Sequence, residues 1–278
     1  MSFLLPKSQE RPMQRPPRRV EPASIIAVGS GKGGVGKTFM SITLASAFAQ
    51  AGKRTLLVDG DLGLANVDVQ LGIAPETDLA AVIAGWVELE DAVTEVDGGS
   101  KDGGFDVLPG RSGSGALAEL SSEEVARLAA GLSALALQYD QVILDLGAGI
   151  EANCMRLARA ADKVLMVVTD EPTSMTDAYA FIKVLKGYAP NVEQMVAINQ
   201  AETRAGGQRT YEAIARACQQ FLGFRPVLAG TVMRDDAVRE AIRSQRTLIS
   251  TDPSAQPIMD AIAIAHTLLG RTGQDLEY

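Results

Sequence analysis

Apolar residues in this chain gather in short, nearly continuous runs rather than alternating with polar ones. The runs are Ile25–Val28, Thr55–Val58, Phe105–Leu108 with a turn at Pro109-Gly110, Gln141–Asp145, Lys163–Val168, Gln194–Asn199 and Val227–Val232. Strands of a parallel sheet, covered by helices on both faces, carry this signature. Between the runs the pattern turns helical. Residues 39–51 place Ile42, Ala45, Phe48 and Ala49 on one face, and Gly52 supplies the stop. Residues 78–92 read as one or two short helices with Leu79, Val82, Ile83 and Trp86 at helical spacing, Trp86 as a packing residue. Ser121-Ser122-Glu123-Glu124 opens a helix with a serine cap and early acids. Thr173 or Ser174 is suited to cap another, with Asp177 in its first turn. Further helices are predicted from about Gly207 to Phe221 and from Pro257 to Gly270, the last aligning Ile258, Ile262, Ala265 and Leu269. The run 97–104 is a loop by composition. Strands and helices in alternation predict one α/β domain over residues 24–270, a mostly parallel sheet of about seven or eight strands flanked by helices.

The first strand leads into the most informative stretch, Ile25 to Thr38, IIAVGSGKGGVGKT. Gly31 and Gly36-Lys37-Thr38 fit G-x-x-x-x-G-K-[ST], a loop whose backbone N–H groups cradle a polyphosphate in front of a helix N-terminus. Lys37 is placed to reach the β- and γ-phosphates, and the Thr38 hydroxyl to bind magnesium. Gly29, Gly31 and Gly34 also satisfy the dinucleotide pattern G-x-G-x-x-G, with Asp59 as its acidic partner. That rival gives no reason for Lys37-Thr38 to stand at the helix start.

Other strands end in acids on the same rim. The second run closes in Asp59-Gly60-Asp61-Leu62-Gly63-Leu64-Ala65-Asn66-Val67-Asp68, and the fourth in Asp145-Leu146-Gly147. Carboxylates at the carboxyl ends of parallel strands face the crevice where ligands bind. Beside a phosphate loop they suit magnesium and water management. An acid that closes such a strand, here Asp145, is a metal candidate, acting through water. Asn199 ends its strand with an amide that offers the donor and acceptor needed at the edge of adenine.

The early lysine of Lys32-Gly33-Gly34-Val35-Gly36-Lys37-Thr38 resembles the deviant Walker A loop of the MinD/ParA family of dimerising ATPases. The resemblance covers roughly residues 24–270. It implies ATP and magnesium as cofactors and an ATP-dependent homodimer in which Lys32 reaches the partner's phosphates. It also implies a nucleotide cradle of Gly31, Gly33, Gly34, Val35, Gly36, Lys37, Thr38 and Phe39, with Asn199, Met233 and Arg234 beside the base. Lys32, Lys37 and Asp61 would be the catalytic residues, and Thr38, Asp61 and Asp145 the metal set. Asp61 matches the residue that positions the attacking water; Asp59 would support its loop. Gly147 stands where many relatives carry proline or alanine, which implies a looser loop. The strings D-L-G-L-A-N-V-D at 61–68 and D-E-P-T-S-M-T-D-A-Y-A at 170–180 are similar to those of the FlhG (FleN) branch, the flagellar-number regulators. That branch implies slow hydrolysis controlling flagellar number or placement, with an FlhF-like GTPase or a transcription regulator as partner. Its usual D-Q-A-x-x-L-R-like segment is absent from residues 1–24, which leaves a positioning ATPase for other cargo, or a transcription-factor antagonist, as the alternative.

Composition narrows the field further. At 278 residues, 46% of them hydrophobic, the chain can bury a full core. It contains no unbroken apolar stretch of about 18 residues. A net charge of −8 argues against a nucleic-acid grip. Two cysteines, Cys154 and Cys218, form neither C-x-x-C nor a disulfide framework, which fits a reducing cytoplasm and argues against an iron–sulfur carrier. Cys154 reads as buried and structural, and so does the single histidine, His266. Residues 1–23 read as a disordered basic tail rich in proline, residues 271–278 as a short flexible acidic one. The last helix has no lysine or arginine before Arg271, so it is expected to belong to the core. A basic membrane-binding face is missing from it, although peripheral contact at the inner membrane or pole is a known habit of the family the chain resembles.

Overall fold

The computed structural model describes residues 23–100, 103–110 and 120–270. The elements run β1 (Ser24–Ser30), α1 (Lys37–Gln50), β2 (Thr55–Gly60), α2 (Val67–Leu71), α3 (Leu79–Ile83), β3 (Thr94–Val96), β4 (Phe105–Leu108), α4 (Ser122–Ala136), β5 (Gln141–Ala148), α5 (Ala152–Arg159) and β6 (Lys163–Val168). They continue with α6 (Pro172–Tyr188), β7 (Glu193–Ala201), α7 (Arg204–Leu222), β8 (Val227–Met233), α8 (Asp236–Arg243), α9 (Leu248–Thr251) and α10 (Gln256–Leu268). The proposed tails lie outside the described residues, apart from Ala23.

Eight strands form one sheet in the order β3-β4-β2-β5-β1-β6-β7-β8, and only the β3–β4 pair is antiparallel. β1 therefore lies between β5 and β6, while the chain passes over β5 to reach β2. Ligands of open parallel sheets bind beyond the carboxyl ends of the strands at such a change of direction. The expected apolar runs are the inner strands: β2 is buried throughout, and β6 along all but its first residue.

Each face of the sheet has its own core. On one side Leu128, Leu132 and Leu135 of α4, Leu157 of α5, Phe181 and Leu185 of α6 and Ile214 of α7 pack together. On the other, Met40, Leu44 and Phe48 of α1 meet Ile264 and Leu268 of α10. Burying side chains of this size stabilises the fold by roughly 1.5–3 kcal/mol each. A small third cluster joins Phe39 to Leu248, Ile249 and Ile258, fixing α8 and α9 beside the start of α1.

Several local expectations are corrected. α1 is buried all round from Lys37 to Ala49, not on one face, because α10 covers the side that would meet solvent. Trp86 is 75% exposed. α3 ends before it, and Gly85, at φ 72°, turns the chain left-handed, so helical spacing no longer aims the indole at the core. α6 begins at Pro172 with Glu171 as its N-cap residue; neither Thr173 nor Ser174 caps it, and Asp177 lies beyond the first turn. The Ser174 hydroxyl instead accepts the backbone N–H of Thr169 at 3.1 Å. The glycine-rich run after Val96 connects the β3–β4 hairpin, and the apolar pattern does not predict β3, α2, α5, α8 or α9. Ser121 does form a reciprocal capping box with Glu124.

α10 is a core element: Ile258, Ala261 and Ile264 are fully buried, and Lys163 Nζ donates to the Leu268 carbonyl at 3.0 Å. Ile264→Ala is expected to cost about 2–5 kcal/mol in urea unfolding. A change below about 0.5 kcal/mol would mean that the helix contributes little to the fold.

Candidate functional site

β1 ends at Ser30, and the chain must turn at once into α1. Gly34 and Gly36 sit at φ 81° and 87°, a left-handed conformation that side-chain-bearing residues rarely adopt. Gly31 is required for a different reason. A Cβ there would lie 2.2 Å from the Asp177 carbonyl carbon, because the backbone of α6 presses on the loop. On the opposite side a Cβ at Gly36 would meet Asn199 Nδ2 at 2.4 Å. The loop is thus wedged between α6 and β7. Asn199 Nδ2 ties it down by donating to the Val35 carbonyl at 2.8 Å, and Ser30 Oγ donates to the Lys32 carbonyl at 2.9 Å. α1 then starts without a side-chain cap or an acid in its first turn, leaving its positive end facing the rim.

Three carboxylates surround that end. Asp145 of β5 is fully buried; its Oδ1 accepts from Lys37 Nζ at 3.1 Å and from Ser41 Oγ at 2.8 Å. Its Oδ2 is buried with no hydrogen-bond partner. A buried carboxylate oxygen rarely stays unpaired, so this atom suits a cation or its water. Thr38, buried at the start of the same helix, supplies a hydroxyl. Among the described residues no three His, Cys, Asp or Glu cluster as a metal cage. That fits magnesium, which keeps several waters and takes few protein ligands beside phosphates.

Asp59 is paired in register with Asp145 across β2 and β5. It accepts backbone N–H groups from Asp61 at 3.2 Å, Asn66 at 2.9 Å and Val67 at 3.0 Å, holding the loop that carries Asp61. At 1% exposure it has no surface to offer a ribose, which removes the dinucleotide reading. Burial and the nearby Asp145 raise its pKa to about 7, against the lowering effect of the three backbone donors. Asp61 folds its Oδ1 onto Gly63 N at 3.3 Å and Leu64 N at 3.0 Å. Gly147 lies in β5, not in a loose loop as expected, and a Cβ there would stand 3.3 Å from Asp61 Oδ1. The glycine lets the two acidic segments approach each other.

Beside the loop lies a pocket of about 260 Å³, lined by Gly34, Gly36, Phe39, Asn199, Met233 and Arg234 among others. It brings together the residues expected beside a base, with qualifications for each. One N–H of Asn199 is already spent on the loop, leaving Oδ1 and the second N–H. The Met233 N–H donates to Asp260 Oδ2 at 2.8 Å, and Arg234 Nη1 donates to Glu202 at 2.8 Å. Asp260, missed in the sequence, is buried and also receives Gln256 at 2.8 Å and Arg204. Val238 and Ile242 of α8 complete one wall. Lys32 stands apart, its Nζ donating to Glu171 and, at 3.2 Å, to Thr173 Oγ1.

An uncapped helix end behind a glycine loop, with a lysine held at a buried carboxylate, defines a P-loop nucleotide-binding protein. The comparisons narrow the class: the family model described as "CobQ/CobB/MinD/ParA nucleotide binding domain" matches residues 26–248, and the chain belongs to that family. It is 37% identical over 246 residues to the antiactivator FleN of Pseudomonas aeruginosa, covering 88% of this chain and 86% of the relative. It is 28% identical to the flagellum site-determining protein YlxH of Helicobacter pylori, covering 82% and 76% of the two chains. Among solved structures, the cell division ATPase MinD of Pyrococcus furiosus superposes with a TM-score of 0.75 at 23% identity, over 89% of this chain and 99% of that one.

Two outcomes are expected. Asp59 holds a proton in the folded chain that the unfolded chain releases, so its contribution is fully present below pH about 4 and is lost as pH rises towards 7. Relative to Asp59→Asn, wild-type stability in urea should fall across that window by up to about 1.4 kcal/mol per pH unit; parallel profiles would contradict the assignment. Burial pushes the Cys154 thiol up to about 12 and the Cys218 thiol to about 11. Both should resist a thiol-disulfide reagent at pH 8 until urea unfolds the chain, whereas rapid native labelling would rule out structural cysteines.

Proposed function

We propose that this protein is a MinD-like, magnesium-dependent ATPase switch that dimerises on ATP, hydrolyses it slowly, and regulates flagellar number or placement from the cytoplasm. The observation that carries this is the convergence of Lys37, Asp145 and Asp61 at the uncapped end of α1. With ATP in the loop, the Lys37 ammonium would pass from Asp145 to the phosphate oxygens, and Asp145 and Thr38 would be the residues that hold magnesium. The ion supplies charge neutralisation on the phosphates. Asp61 accepts a hydrogen bond from the attacking water and orients it in line, and the packing of its loop by Asp59 fixes that direction. Phosphoryl transfer needs mainly such positioning and electrostatics, so an aspartate of ordinary basicity suffices. Lys32 of each protomer completes the other's site, and the pocket between Phe39, Asn199 and Met233 takes the base.

The flagellar assignment rests on the likeness to FleN and YlxH, both matched over most of their length. FleN is described as an antiactivator, which favours a transcription activator as the binding partner over an FlhF-like GTPase. Among the described residues no helix is long and apolar enough to cross a membrane.

Lys37→Ala should weaken ATP binding at least a hundredfold in a fluorescent-nucleotide titration. Unchanged affinity would remove the loop from the mechanism. Asp61→Ala should keep wild-type ATP affinity and lower phosphate release at least tenfold. In a strain lacking this chain, flagella per cell should return to normal with the wild-type copy but not with Lys37→Ala; a normal count in the deletion strain would sink the flagellar role.

A further inference from the structure

Lys32 is held by its side-chain contacts rather than by the loop. The neighbouring Gly33 and Gly34 open onto free space, with nothing within 4 Å of a Cβ built at either. What fixes the ammonium is α6: Glu171 Oε2 and, at 3.2 Å, the Thr173 hydroxyl. Glu171 occupies the N-cap position of α6, yet its side chain makes no capping hydrogen bond. Among the described residues the one hydrogen-bond partner of its carboxylate is Lys32. A carboxylate at a helix start normally serves the helix, by capping or through the dipole. Here it is turned to the lysine instead.

We infer that Glu171 and Thr173 are positioning residues that latch Lys32 onto its own subunit, so that forming the ATP dimer requires the latch to open. The inference rests on the proposed reach of Lys32 to the partner's phosphates. The same ammonium cannot serve both sites, so the latch and the dimer compete, and the dimer constant carries the cost of two openings. The side chains of Lys32 and Glu171 are 37% and 59% exposed, which keeps the latch weak enough to open. An exposed ion pair shifts an equilibrium by a factor of about 1.4 to 5, so two per dimer give roughly 2- to 25-fold. Weak is what a switch requires, because the phosphates of ATP then displace Glu171 without a large barrier.

The experiment has two readouts on the full chain. In monomer kept with Mg-ADP, amine acetylation followed by mass spectrometry should modify Lys32 several-fold faster in Glu171→Gln than in wild type. In sedimentation equilibrium with Mg-ATP, on the Asp61→Ala background to suppress turnover, Glu171→Gln should lower the dimer dissociation constant by about 2- to 25-fold. Thr173→Val should move both readouts the same way by less. Lys32→Ala is run beside them. If Lys32→Ala stays monomeric while Glu171→Gln dimerises no better than its parent and labels at the wild-type rate, the latch is overturned and the proposed dimer stands. If Lys32→Ala dimerises like its parent, the trans role of Lys32 fails and the latch falls with it.

Discussion

The buried pair between Lys37 and Asp145 organises this molecule. Taking an ammonium and a carboxylate out of water costs several kcal/mol each, and mutual attraction offsets this only when further hydrogen bonds complete the geometry. Ser41 supplies one on the same carboxylate oxygen. The pair joins the first residue of α1 to the strand next to β1, and so sets where the helix begins relative to the sheet. Removing either partner alone strands a buried charge, at a cost of about 3–5 kcal/mol. That interdependence keeps the lysine poised beneath the rim.

The neighbouring features follow from that charge arrangement. Asp59 is buried and lies opposite Asp145 in register; burial first, and then that neighbouring carboxylate, raises its pKa to about 7. The three backbone donors it gathers hold the loop that carries Asp61. Glycine at 147 lets Asp61 approach, and glycines at 31 and 36 let the phosphate loop sit between α6 and Asn199. The pressure of α6 on Gly31 also brings Glu171 and Thr173 within reach of Lys32. The nucleotide loop and the segment that restrains its lysine are therefore one packed unit.

Much of this was legible in the chain because contiguous residues encode it. Buried parallel strands write themselves as apolar runs, and the phosphate loop fits a fixed spacing, so fold class, Lys37 and Thr38 need no tertiary information; Asp145 is marked by closing an apolar run, and Asp61 by the resemblance of its segment to the MinD/ParA family. Elements of three to eight residues, β3, α2, α5, α8 and α9, carry too little periodicity to stand out. Trp86 was misplaced because its spacing assumed that α3 continues past Gly85. The start of α6 was marked by Pro172, a residue favoured at the first helical position, more plainly than by the hydroxyls after it. Contacts between distant residues leave no local trace. Lys32 and Glu171 are 139 positions apart, and Asn199 is 164 from the carbonyl it holds. Sequence singles out Lys32 and Asn199 but not their present hydrogen bonds, and it does not single out Glu171.

In the proposed switch, nucleotide identity controls subunit number through the phosphate loop and two acidic arms. Sedimentation velocity of the wild-type chain, in parallel with Mg-ATP and Mg-ADP at one protein concentration, tests this most directly. A species of twice the monomer mass with ATP, and monomer alone with ADP, is the predicted result. The same mass distribution with both nucleotides would contradict it.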